Sequence, residues 1–150
     1  MKVTFVRPNM HDGRSTDAME PLSFANLKGL TPPDIETVLY DERLEEIPYD
    51  EPTDLVAMTV ETYTARRAYQ IAAEFRQRGV PVVFGGFHPT FLPDEALAHG
   101  DAVVLGDAEG AWKKVLGDIS AGALQPRYRQ SEFPDLAGHF PDRSLFDGKN

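Results

Sequence analysis

Three short apolar runs, with a helical stripe between the first two, constrain this chain more than any other feature. Residues 54–60 read Asp-Leu-Val-Ala-Met-Thr-Val, residues 80–86 read Val-Pro-Val-Val-Phe-Gly-Gly, and residues 101–106 read Asp-Ala-Val-Val-Leu-Gly. Runs of this length, rich in β-branched residues and punctuated by glycine, predict strands buried on both faces. Between the first two, Ala68, Ile71, Ala72 and Phe75 recur at i, i+3, i+4 and i+7, which is one apolar helix face. Arg76 and Arg78 fall in its last turn and Gly79 follows as a stop signal. Strand, helix, strand in this sequence predicts a parallel sheet covered by helices.

The rest of the chain extends that pattern. Residues 2–7 predict a first strand, and residues 19–30, with Leu22, Phe24, Ala25, Leu27 and Leu30, predict a helix. Residues 35–40 predict a strand whose charges and hydroxyls suit a sheet edge. Pro93 with Asp94 and Glu95 starts a short helix that Gly100 ends. Trp112, Val115, Leu116 and Ile119 repeat the helical spacing. The expectation is an α/β, flavodoxin-like, three-layer (αβα) domain over residues 1–122. Its parallel sheet has about five strands in the order 2-1-3-4-5. Residues 123–150, with Pro126, Pro134 and Pro141, are read as an extension or linker.

Composition then excludes whole classes of chemistry. The chain has 150 residues and no cysteine, so it holds no disulfide, no thiol nucleophile and no Cys-ligated zinc or iron–sulfur cluster. A net charge of −9 argues against nucleic acid and against anionic membrane surfaces as partners. No apolar run approaches the ~20 residues of a membrane span. The N-terminus begins directly with a strand rather than an apolar leader, which predicts a cytoplasmic protein.

In an open parallel sheet, ligands bind beyond the carboxyl ends of the strands. That rim is Pro8 to Gly13, Glu61 to Thr64, Gly85 to Thr90, and Gly106 to Glu109. Gly85 and Gly86 either let a bulky ligand approach the strand end or form a turn with no ligand at all. His88, biased toward extended backbone by Pro89, either meets a ligand or fixes its loop by a hydrogen bond. Thr62 and Thr64 either cap the following helix or face a ligand. Asp107 and Glu109 complement a helix dipole or line the site. Tyr63 and Phe87 form apolar walls or seal the sheet.

Familiar rim chemistries fail one by one. No G-x-G-x-x-G follows a strand, there is no Walker A motif, and there is no G-x-S-x-G elbow. The four histidines have no zinc-type spacing. Nothing assembles a nucleophile, a base and an oxyanion hole. The rim reads as a binder of something large rather than as a catalyst.

Together the rim segments resemble a known family. They are Thr59-Val60-Glu61-Thr62-Tyr63-Thr64, Phe84-Gly85-Gly86-Phe87-His88-Pro89-Thr90, Pro93-Asp94-Glu95-Ala96 and Gly106-Asp107-Ala108-Glu109-Gly110-Ala111-Trp112, with Thr31-Pro32-Pro33 and Tyr40-Asp41-Glu42 upstream. Over roughly residues 1–120 the pattern is similar to the N-terminal cobalamin-binding domain of B12-dependent radical SAM enzymes. The resemblance implies a corrin held against the strand ends, with its nucleotide tail tucked beside the sheet. The cofactor-binding residues it implies are Glu61, Thr62, Tyr63, Gly85, Gly86, Phe87, His88, Pro89, Thr90, Gly106, Asp107 and Glu109. The glycines would give close approach, and Tyr63 and Phe87 would supply apolar contact. Hydroxyls and backbone N–H groups would meet corrin amides and the tail phosphate.

Many cobalamin domains carry an Asp-x-His-x-x-Gly loop whose histidine ligates cobalt from below. Here the loop reads Asn9-Met10-His11-Asp12-Gly13-Arg14: the aspartate is replaced and the glycine is one position early. His11 is therefore not carried over as a metal ligand. The family's second half carries a Cys-x3-Cys-x2-Cys motif for a [4Fe–4S] cluster and S-adenosylmethionine, and this chain has no cysteine. The resemblance thus implies a non-catalytic portion of a longer methyltransferase-like enzyme, partnered by the radical SAM domain of the same parent chain. Two other readings stay open. One is a domain of this type that binds no cobalamin and serves for docking. The other is a stand-alone flavodoxin-like binder of a flavin or nucleotide.

Overall fold

The computed structural model describes residues 1–10, 19–130 and 137–149. One sheet holds six parallel strands: β1 (Lys2–Arg7), β2 (Glu36–Asp41), β3 (Leu55–Thr59), β4 (Val82–Gly85), β5 (Ala102–Leu105) and β6 (Arg127–Arg129). They lie in the order β2-β1-β3-β4-β5-β6. The expected order is present with β2 at one edge. The expected count of five falls one short, because β6 adds to β5. Its Arg-Tyr-Arg sequence buries only Tyr128 and is too short and charged to register as an apolar run.

The near-continuous apolar strands divide their side chains strictly by period two. Val3, Phe5, Leu55, Ala57, Val83 and Val104 face one side, with Phe24 and Trp112 packed on them. Val6, Val56, Met58, Val82, Phe84 and Val103 face the other, with Ala68, Ile71, Ala72 and Phe75. Each large side chain buried in these layers stabilises the fold by about 1.5–3 kcal/mol. On the first face lie α1 (Leu22–Leu30) and α5 (Trp112–Ser120); on the second lie α2 (Ala65–Gln77) and α4 (Pro93–His99). No helix among the described residues is long and apolar enough to cross a membrane.

A further helix, α3 (Phe87–Phe91), follows β4 directly. Its His88 is therefore helical, not extended as Pro89 suggested. The His88 N–H donates to the Val60 carbonyl at 3.1 Å, and this tertiary tie overrides the local bias. Pro89 sits in the first turn, where its missing N–H costs nothing.

The C-terminal segment folds back over α1. Asp142 N–H donates to the Ala25 carbonyl at 2.9 Å, Lys28 Nζ reaches Ser144 Oγ at 2.6 Å, and Leu145 and Phe146 enter the first apolar layer. The readings of His11, Asp12, Gly13 and Arg14 lie outside the described residues.

Candidate functional site at the strand ends

The two helices on the first face touch near the Trp112–Thr31 hydrogen bond and leave space elsewhere over the sheet. Between them a cleft of about 420 Å³ runs down over β3, β4 and β5. One wall is α1, with Ser23, Phe24, Asn26 and Leu27; the other is Trp112 with the loop Gly106 to Glu109. The floor is Ala57, Thr59, Val83, Gly85 and Val104, and α3 overhangs one side with Phe87, Thr90 and Phe91. Small residues make this space. A Cβ added to Gly85 would meet nothing within 4 Å, and the same is true at Gly106.

Gly86 does something different. Its φ of 101° is closed to ordinary L-residues, and a Cβ there would lie 2.8 Å from the Val60 carbonyl oxygen. Of the two glycines, Gly85 opens the cleft and Gly86 makes the turn that starts α3. Thr90 braces the same corner. Its hydroxyl donates to the Gly86 carbonyl at 2.8 Å and accepts the Gly106 N–H at 3.0 Å, tying α3 to the end of β5.

The structure brings Glu61, Gly85, Gly86, Phe87, Thr90, Gly106, Asp107 and Glu109 together around the cleft. Thr62, Tyr63, His88 and Pro89 lie outside its lining. Thr64 caps rather than faces a ligand, since its hydroxyl accepts the Glu61 N–H at 3.1 Å. His88 is buried on the far side of α3. Its Nε2 lies 2.9 Å from the Tyr69 hydroxyl and 3.2 Å from Glu95 Oε1, so it pins α3 onto α2 and α4. Burial, and then Glu95, push the Tyr69 phenol well above the ordinary tyrosine range. The Tyr69 ring in turn stacks on His99 at 4.1 Å.

Beside the cleft, the rim is apolar and open. Tyr63 is 65% exposed, Phe87 66% and Phe91 75%, with Met10 and Leu22 on the β1 and α1 side. An exposed aromatic and aliphatic crown of this kind marks a binding surface. At the far end of the rim, Arg7 and Arg43 close around the buried Asp41 carboxylate. Burial, and then Arg43, hold the Arg7 guanidinium below its ordinary pKa.

Sequence reasoning missed the α1 wall, Trp112 and, apart from Gly85, the floor. The available signals were Ser23 and Asn26 three apart on α1, and Ala57 as the smallest residue of its strand. Trp112 reads as core, and it is core. Its Nε1–H is committed to Thr31 Oγ1 at 2.8 Å while its ring forms the cleft wall.

Comparison with known proteins adds an independent line. A family model described as B12 binding domain matches residues 27–116. The chain is 39% identical over 133 residues to the bacteriochlorophyllide d C-8(2)-methyltransferase of Chlorobaculum tepidum, covering 88% of this chain and 30% of that protein. It is 32% identical over 123 residues to the bacteriochlorophyllide d C-12(1)-methyltransferase of the same organism, covering 81% of this chain and 27% of that one. The chain thus spans less than a third of the length of these curated relatives.

Proposed function

This chain belongs to the B12-binding domain family, and from that membership we propose that the cleft between α1 and α5 receives the nucleotide tail of cobalamin while the corrin lies on the strand-end rim. The observation that carries the reading is the continuity of two surfaces. An apolar cleft floored by small residues opens, at Gly85, onto an exposed crown of Tyr63, Phe87 and Phe91. A flat macrocycle with a long appendage needs both. When bound, the corrin supplies the cobalt chemistry on which methyl transfer rests.

This chain's own residues bind and orient. Gly85 and Gly106 leave the approach clear. Tyr63, Phe87 and Phe91 cover apolar ring surface, with Thr62 at its margin. Glu61, Asp107 and Glu109 accept hydrogen bonds from amide N–H groups. Gly86 and Thr90 fix the corner of α3, and His88 and Pro89 position that helix from behind.

The relatives' length supports a second step of the reading. The domain works within a longer radical SAM methyltransferase, cytoplasmic as its reduced cluster requires, whose [4Fe–4S] cluster and S-adenosylmethionine are held by another part of the parent. In this reading the corrinoid domain spans residues 1–122 together with β6, Leu145 and Phe146, which pack onto it, and the segment 123–150 leads toward that partner.

The test is to incubate the purified chain with hydroxocobalamin, desalt it and record the spectrum. Corrin absorbance retained at about one equivalent is the expected result. Colourless protein, or retention of FMN under the same treatment, overturns the reading.

A further inference from the structure

The buried part of the cleft lining has a composition of its own. Phe24 and Leu27 from α1, Trp112 from α5, and Ala57, Val83 and Val104 from the sheet form it. All except Leu27 are buried, and none offers a free polar atom, since the Trp112 N–H is already donated to Thr31. The polar side chains Ser23, Thr59, Glu61, Asp107 and Glu109 are exposed or half-buried, toward the mouth. Among the described lining residues there is no lysine or arginine. Asn26, half-buried one turn below Ser23, is the single amide of the wall.

We propose that this cleft selects corrinoids by their lower base, accepting the dimethylbenzimidazole form and rejecting the form that carries adenine. The inference rests on the reading that the chain binds a corrinoid with its tail in this cleft. A dimethylbenzimidazole presents two methyl groups, a fused carbocycle and one free ring nitrogen, which one amide suffices to pair. Adenine presents an exocyclic amine and several ring nitrogens. With Asn26 as the one side-chain amide among the described lining residues, most of these meet apolar surface unpaired, which is costly. The lost methyl contacts alone are worth about tenfold or more in an apolar pocket.

The experiment is an absorbance titration of the chain with three probes: hydroxocobalamin, its adenine-carrying counterpart, and cobinamide, which lacks the tail. Binding of the adenine form at least tenfold weaker than hydroxocobalamin is expected, with cobinamide also weaker. Leu27→Asn, which adds a second amide to the wall at a half-buried position, is expected to narrow the ratio. Equal or tighter binding of the adenine form overturns the inference and leaves the corrinoid reading standing, as does cobinamide binding as tightly as cobalamin. A ratio unchanged in a folded Leu27→Asn protein also overturns it. Failure of all three probes to bind overturns the corrinoid reading and this inference together.

Discussion

Gly86 packs its backbone against Val60 so closely that a Cβ would lie 2.8 Å from the Val60 carbonyl oxygen and 3.0 Å from its amide nitrogen. The neighbouring Gly85 has open space where its Cβ would be. The adjacent glycines are therefore separable by mutation. Gly86→Ala forces a positive-φ residue into contact with backbone and is expected to cost about 2 kcal/mol or more in urea unfolding. Gly85→Leu fills the cleft instead, so stability should change by less than about 1 kcal/mol while corrinoid affinity falls at least tenfold. Loss of fold in Gly85→Leu, or no loss of affinity, contradicts this division of roles.

The contact between Trp112 and Thr31 gives a second test. Thr31 Oγ1 accepts the indole N–H and itself donates to the Leu27 carbonyl at 2.6 Å. Thr31→Val keeps the shape and leaves a buried donor unpaired, at an expected cost of about 1–3 kcal/mol. Thr31→Ser should retain most of the stability. Equal denaturation midpoints for wild type and Thr31→Val would show that the bond contributes nothing.

On the other face of the sheet, the Tyr69 hydroxyl links His88 and Glu95. Removing it with Tyr69→Phe is expected to cost about 1 kcal/mol and to speed amide exchange in α3 more than in α2. Uniform exchange rates across both helices would argue that His88 does not pin α3.

The closure of the C-terminal segment over α1 should depend on pH. Hydrogen bonds from the Ser144 hydroxyl and amide, and then the Lys28 ammonium, hold the Asp142 carboxyl below its ordinary pKa. A depressed folded-state pKa contributes stability that is present above the unfolded value and is lost as pH falls through the folded one. Amide protection of Ser144 to Phe146 is therefore expected to be complete at neutral pH. It should fall below the ordinary aspartate range, before the sheet loses protection. Asp142→Asn should remove that acid step; if it persists, another group is responsible.

How much of this was legible in the sequence follows from which signals are local. The strands β3, β4 and β5 and the helix α2 announce themselves because their apolar residues match one period over many positions. So does the edge placement of β2, whose Glu36 and Thr37 interrupt that pattern. β6 does not, since three residues with one buried side chain carry almost no periodic signal. The helix α3 was hidden by Pro89, a residue that weakens a helical reading until the tie from His88 to Val60 is known. The rim was legible because topology alone places a ligand beyond the strand ends. The cleft was not. Phe24, Leu27, Val104 and Trp112 look the same in sequence whether they fill a core or line a cleft beside one, and only the three-dimensional packing of α1 and α5 on the sheet distinguishes the two.

The most direct test of the central claim is an absorbance titration of hydroxocobalamin with wild-type chain and with Gly85→Leu, both shown to be folded by their unfolding curves. A saturable one-to-one spectral change is expected with wild type, and its loss, or a shift of at least tenfold in affinity, with Gly85→Leu. No spectral change with folded wild-type protein, or identical curves for the two, would contradict that claim.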